Sequence, residues 1–145
     1  RFLRAASSWF IVDLENKSVV NITQKYPEFL KYVKLEDDLQ LQKLRPIDRV
    51  DAQKMFHVRY DDLDINNHVN NTVYITWAME VLDYDFRILH SLKTLDIYFK
   101  HDVKYGDDVL SQVKFAGNNV TEHIIINAVT GEELCLLRME WTVVD

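Results

Sequence analysis

Four scarcities in this sequence each exclude a class of protein. One cysteine, Cys135, in 145 residues rules out an internal disulfide framework and leads us to expect a reducing, cytoplasmic setting. No apolar run approaches the ~20 residues of a membrane-spanning helix. The longest unbroken aliphatic stretch of note is Ile124-Ile125-Ile126, which points to a water-soluble chain. Positive charge is short: 17 Lys and Arg against 23 Asp and Glu leave a net charge of -6. Without a basic stripe to neutralise phosphates, a nucleic-acid binder is not expected. No two histidines stand at metal-ligand spacing, so neither a metal nor another cofactor is expected. Internal repeats and low-complexity tracts are also lacking.

With 48% hydrophobic residues, the chain has material for one ordinary core plus a leftover segment. It opens on Arg1 rather than methionine, so a processed chain or a fragment is expected. Three Asn-x-Thr triplets, at Asn21, Asn70 and Asn119, match the glycosylation pattern, but with no signal peptide or paired cysteines they read as chance occurrences.

The chemistry gathers in Tyr60-Asp61-Asp62-Leu63-Asp64-Ile65-Asn66-Asn67-His68-Val69-Asn70-Asn71-Thr72-Val73-Tyr74. This stretch lies between an alternating apolar run (Phe56, Val58, Tyr60) and a helix-periodic one (Tyr74, Trp77, Ala78, Val81). Asp64, Asn66 and His68 alternate, so a locally extended backbone would aim all three one way. Asn70 or Asn71 stands where a helix N-cap belongs, and free first-turn N–H groups there would face a developing oxyanion. Carboxylate, amide and imidazole beside a helix N-terminus suit attack on a carbonyl. The plainer alternative is an Asx-rich turn with a capped helix behind it.

Asp-Leu-Asp-x-Asn-x-His-Val-Asn-Asn-x-x-Tyr-Ile-x-Trp, running from Asp62 to Trp77, resembles the signature of acyl-acyl carrier protein thioesterases, which have a double hotdog fold. A shorter form of the pattern is shared by single-hotdog acyl-CoA thioesterases. The resemblance implies hydrolysis of acyl-carrier thioesters to free fatty acid, with catalytic residues Asp64, Asn66 and His68. The family adds a glutamate, often followed by cysteine, on the strand after the helix. Here that stretch reads Tyr98-Phe99-Lys100-His101-Asp102-Val103, so Asp102 matches the glutamate, Val103 takes the cysteine position, and His101 is the alternative if the register slips by one. The two carboxylates would then share nucleophilic attack and water activation, a step that a raised carboxylate pKa would favour. An acidic carrier calls for cations at the site mouth, drawn from Arg45, Arg49, Arg59, Lys100 and Lys104.

Along the chain, Phe2 to Leu14 reads as a strand, with Val19 to Ile22 as a short return. Pro27 suits the start of a helix through Phe29, Leu30 and Val33, and charged residues dominate from Lys34 to Lys43. Arg4-Ala5-Ala6-Ser7-Ser8-Trp9 is similar to the segment ending the first hotdog of the acyl-carrier thioesterases. The expected organisation is therefore 1–22 as the end of an upstream hotdog, 23–52 as linker, and 53–145 as a C-terminal hotdog, paired in cis or with another copy. Within 53–145 we expect a strand through Phe56, Val58 and Tyr60, a long helix from about Asn71 to Leu82, and a short helical turn capped by Asp83. Four antiparallel strands follow, ending near Val103, Phe115, Ala128 and Val144, with Gly106, Gly117 and Gly131 in the turns. This is an α+β hotdog, an antiparallel sheet wrapped round one long central helix. His57 and His123 read as surface or interface residues, and Cys135, Tyr74 and Trp77 as packing. Two further functions fit the same sequence: a stand-alone acyl-CoA hydrolase, and a non-catalytic hotdog that binds acyl chains or dimerises.

Overall fold

A computed structural model of the chain describes residues 4–8, 11–13, 15–16, 18–32, 41–117 and 119–144. It divides into two units, Arg1–Gln42 and Lys43–Asp145.

In the first unit, strands β1 (Ile11–Asp13) and β2 (Ser18–Val20) form a two-stranded antiparallel sheet, with Ile11 opposite Val20. Asp13 closes the turn, its Oδ1 accepting from the N–H groups of Glu15 at 2.9 Å and Asn16 at 3.0 Å. The strand is much shorter than the Phe2 to Leu14 run suggests: residues 4–8 take no regular structure, and Phe2, Trp9 and Leu14 lie outside the described residues. Asn21 then caps a single helical turn, α1 (Ile22–Lys25). Pro27 opens a 3-10 turn over Pro27–Tyr32 rather than a full helix. The charged stretch from Lys34 onward falls outside the described residues as far as position 40.

The second unit carries the core. Strand β3 (Ala52–His57) leads through a 3-10 turn at Tyr60–Asp62 to helix α2 (Asn71–Met79). Helix α3 (Tyr84–Leu89) and strands β4 (His90–Phe99), β5 (Asp108–Phe115), β6 (Val120–Asn127) and β7 (Glu133–Val143) follow. The strands form one antiparallel sheet in the order β3-β5-β6-β7-β4. β3 is fastened before it begins: the Asp51 N–H donates to the Val113 carbonyl at 2.8 Å, and its carboxylate accepts from the Phe115 N–H at 2.7 Å. Alternation works as expected on β5, where Val109, Ser111 and Val113 are all fully buried while Leu110, Gln112 and Lys114 are not.

The helix is shorter than expected. α2 ends at Met79, not Leu82, because Asp83 starts a new helix: it adopts an extended backbone and its Oδ1 accepts from the Phe86 N–H at 2.6 Å. The nine residues of α2 reach only about 13 Å at the helical rise. The helix nonetheless buries Tyr74, Trp77 and Ala78 in one core with Val109, Val113, Ile125, Leu137 and Met139. Three aromatic contacts join β3, α2 and β4: Phe56 to Trp77 at 6.0 Å, Trp77 to Tyr74 at 5.4 Å, and Tyr74 to Phe99 at 5.6 Å. Such ring pairs add roughly 0.5–1.5 kcal/mol each beyond burial.

The reading of His123 as a surface or interface residue is corrected. It points inward from β6 and is 1% exposed, with Nε2 2.8 Å from the Thr121 hydroxyl, which also accepts from Trp141 Nε1 at 2.9 Å. Its Nδ1 has no hydrogen-bond partner among the described residues. Burial lowers its pKa to about 3, so the ring is neutral. Strand alternation predicted the inward direction only once the sheet face was known. His57 is exposed as expected, with Nδ1 2.8 Å from Asp108.

Candidate active site

The polar stretch is a tight hairpin rather than an extended segment. The Asn70 N–H donates to the Asp62 carbonyl at 2.8 Å, Leu63 and Val69 form an antiparallel bridge, and the Asp64 N–H donates to the His68 carbonyl at 2.7 Å. At the tip, the Asn67 N–H donates to the Asp64 carbonyl at 3.0 Å, and Asn67 itself has φ 60°. Alternation therefore does not bring Asp64, Asn66 and His68 to one side. The Asp64 carboxylate organises them instead: its Oδ1 accepts from the N–H of Asn66 at 2.8 Å and of His68 at 3.2 Å.

These amide donors reverse the expected direction of the pKa. The Asn66 amide first, then the His68 amide, hold the Asp64 carboxyl below its usual range. Asp64 is thus ionised, with Oδ1 spent on the backbone and Oδ2 making no hydrogen bond among the described residues. Beneath the hairpin lies Asp62, 3% exposed. Burial works to raise its pKa, but the Arg59 guanidinium, at 2.8 Å from Oδ1, and the Arg59 N–H, at 2.8 Å from Oδ2, keep it below the usual range.

Asn70, not Asn71, caps α2. Its Oδ1 accepts from the Thr72 N–H at 2.9 Å and its carbonyl from the Val73 N–H at 2.9 Å. Two of the amides expected to face an oxyanion are therefore already used, which leaves that of Asn71 in the first three positions of the helix.

Asp102 does not lie on a strand. β4 ends at Phe99, and the chain is carried onward by the N–H groups of Lys100 and His101, which both donate to the Leu134 carbonyl, at 2.8 and 3.3 Å. Val103, 1% exposed, anchors the other side. Between these fixings Asp102 faces the hairpin, its Oδ2 3.8 Å from His68 Nε2. His101 is held elsewhere, with Nδ1 3.4 Å from Glu132.

A cleft of about 520 Å³ joins the two parts, lined by Tyr60, Leu63, Asn66, Asn67, His68, Asp102, Lys104 and Tyr105. Three of the four expected site residues thus border one opening, and the Asp64 carboxylate is bonded to the backbone of two of them. The pattern did not single out Asn67 or Tyr105. The available signal for Tyr105 was its place beside Gly106, which has φ 86° and whose N–H donates to the Val58 carbonyl at 3.1 Å. Of the five cations expected at the mouth, Arg49 pairs with Asp51, Arg59 with Asp62 and Lys100 with Glu133. Lys104 alone of the five lines the cleft.

The remaining candidates are packing. Cys135 is fully buried, and burial pushes its thiol pKa up. Tyr74, 2% exposed, has its hydroxyl pKa pushed up to about 12, first by burial.

One main helix packed on a five-stranded antiparallel sheet, with a cleft bordered by the hairpin that leads into that helix, is the hotdog arrangement. A solved acyl-ACP thioesterase from Bacteroides thetaiotaomicron superposes with a TM-score of 0.75 at 13% identity, covering 90% of this chain and 53% of that one. The profile of the acyl-ACP thioesterase C-terminal domain matches residues 46–143, and the chain belongs to that family. Among relatives, the palmitoyl-acyl carrier protein thioesterase of Gossypium hirsutum is 29% identical over 147 residues, 94% of this chain and 34% of that protein. The oleoyl-acyl carrier protein thioesterase 2 of Arabidopsis thaliana is 23% identical over 139 residues, 88% of this chain and 37% of that protein. The chain spans about a third of the length of the curated relatives it matches. Among the described residues, no helix is long and apolar enough to cross a membrane.

Proposed function

We propose that this chain is the catalytic C-terminal hotdog of a thioesterase that hydrolyses acyl-acyl carrier protein to free fatty acid, ending chain elongation. The observation that carries the proposal is the meeting of His68 with Asp102 at 3.8 Å across an open cleft, in a chain of this family. In this mechanism water attacks the thioester carbon while its proton passes to a carboxylate. The C–S bond then breaks, and the proton taken by the carboxylate passes through His68 to the leaving sulfur. Asp102 and the unengaged oxygen of Asp64 are the carboxylates within the site. Asn66 lines the approach, and the Asn71 amide is available to the developing oxyanion.

On this reading 1–22 is the end of an upstream hotdog, 23–52 a linker and 53–145 the catalytic domain, paired with another hotdog in cis or with a second copy. No cofactor is required, and the reaction belongs in a reducing compartment such as the cytoplasm. The test compares kcat/KM for one acyl group carried by the carrier protein and by CoA, across a range of ionic strength, on the natural polypeptide that contains this chain. Carrier preference that weakens with salt is expected. Equal, salt-insensitive efficiency would make it an acyl-CoA hydrolase, and no hydrolysis of either would make it a binding module.

A further inference from the structure

We propose that Asn67 is a positioning residue for hydrolysis at this site, an inference that rests on the thioesterase reading above. Residues 65–67 are the three-residue tip of a hairpin whose last pairs are Leu63 with Val69 and Asp64 with His68. Tips of this length join a type I turn to one residue in the left-handed region. Asn67, at φ 60°, is that residue, and no other non-glycine among the described residues has a positive φ. An ordinary side chain is disfavoured there because its Cβ crowds the following carbonyl, whereas asparagine and glycine enter readily.

The left-handed turn sets what comes next. It directs the His68 N–H to Asp64 Oδ1 at 3.2 Å and the His68 carbonyl to the Asp64 N–H at 2.7 Å. With its backbone held on both sides, the His68 ring reaches across the cleft to Asp102 at 3.8 Å. A residue that leaves the left-handed region opens this pairing and turns the imidazole away from its partner. Residues 65–68 at the tip are exposed, so the cost falls on site geometry and not on the core.

The Asn67 side chain also lines the cleft, so the test must separate backbone from side chain. Asn67→Gly, Asn67→Ala and Asn67→Val are compared with wild type in the natural polypeptide, by steady-state hydrolysis of an acyl-carrier thioester and by thermal unfolding. Asn67→Gly should keep kcat within about threefold of wild type, because glycine adopts the same φ without strain. Asn67→Ala should lose roughly tenfold in kcat and Asn67→Val more, with KM little changed and the unfolding midpoint lowered by only a few degrees. If Asn67→Val does not fold, Asn67→Ala carries the comparison. Wild-type kcat in Asn67→Ala would overturn the proposal, and so would an Asn67→Gly variant as slow as Asn67→Ala, which would mean the amide itself acts. Either result leaves the thioesterase reading standing, whereas a wild type that turns over no thioester removes both.

Discussion

Replacing Asp64 with asparagine separates its two roles cleanly, because they fall on different oxygens. Oδ1 holds the Asn66 and His68 amides at 2.8 and 3.2 Å, and an asparagine carbonyl oxygen accepts both bonds in the same place. The NH2 group then replaces the unengaged Oδ2, which removes the negative charge and any capacity to attack carbon or take a proton. The hairpin should survive, since asparagine is equally at home in Asx turns. Asn66 and His68 are exposed, so even a weakened anchor is compensated by water and the unfolding midpoint should hardly move. If Asp64 Oδ2 takes part in the chemistry, kcat should fall by on the order of 10²–10⁴, the usual worth of a positioned acid-base group. Single-turnover hydrolysis of an acyl-carrier thioester, read beside the thermal midpoint, distinguishes a dead folded enzyme from an unfolded one. Near-normal turnover in Asp64→Asn would refute the argument and leave Asp64 as an anchor of the loop alone.

Asp102→Asn should also abolish most turnover, while His101→Ala, whose ring pairs with Glu132 away from the cleft, should stay within a few-fold of wild type; the reverse pattern would transfer the role to His101. The pH–rate profile should show no loss from Asp64 until pH falls below its ordinary value of 3.8, since its amide donors depress the folded pKa and its charge persists on acidification. An acid limb well above that pH must therefore disappear in some variant other than Asp64→Asn. His123 gives a stability prediction. With a folded pKa near 3 against an ordinary value of 6.5, the unfolded chain gains a proton first as pH falls, so stability present above about 6.5 should decline between those values. The slope should approach about 1.4 kcal/mol per pH unit, and denaturant titrations of His123→Phe should lose it. Leu137→Ala, at a 2% exposed core position, should cost about 2–5 kcal/mol, measured the same way.

Much of the sheet could be read from the chain because β5, β6 and β7 are separated by turns with one glycine each, and β5 alternates in burial. Asp83 was likewise legible as a cap. What the sequence concealed was backbone direction in the polar stretch. Alternation of Asp64, Asn66 and His68 suggested an extended segment, yet the Asp64 side chain bonds the backbone amides of Asn66 and His68, and that local pull folds the stretch into a hairpin. The same competition explains the length of α2: its apolar period runs on to Leu82, but the cap at Asp83 outweighs two or three more helical residues. His123 misled because a histidine in an alternating strand looks the same from either face.

The placement of Asp102 beyond the last paired residue of β4 bears on the expectation that it stands where the resembled family has a glutamate. A residue inside a ladder inherits its height above the sheet from neighbours on both sides, so a side chain shortened by one carbon would withdraw from its target with no remedy short of shifting the strand. Residues 100–103 carry no such obligation. They are moored through Leu134 at one end and through the buried Val103 at the other, with free torsions between, and a small change in those torsions can advance the carboxylate by the length of the missing methylene. Tolerance to exchange of aspartate for glutamate should therefore be a property of this segment of chain, and a site built on β4 itself would not share it.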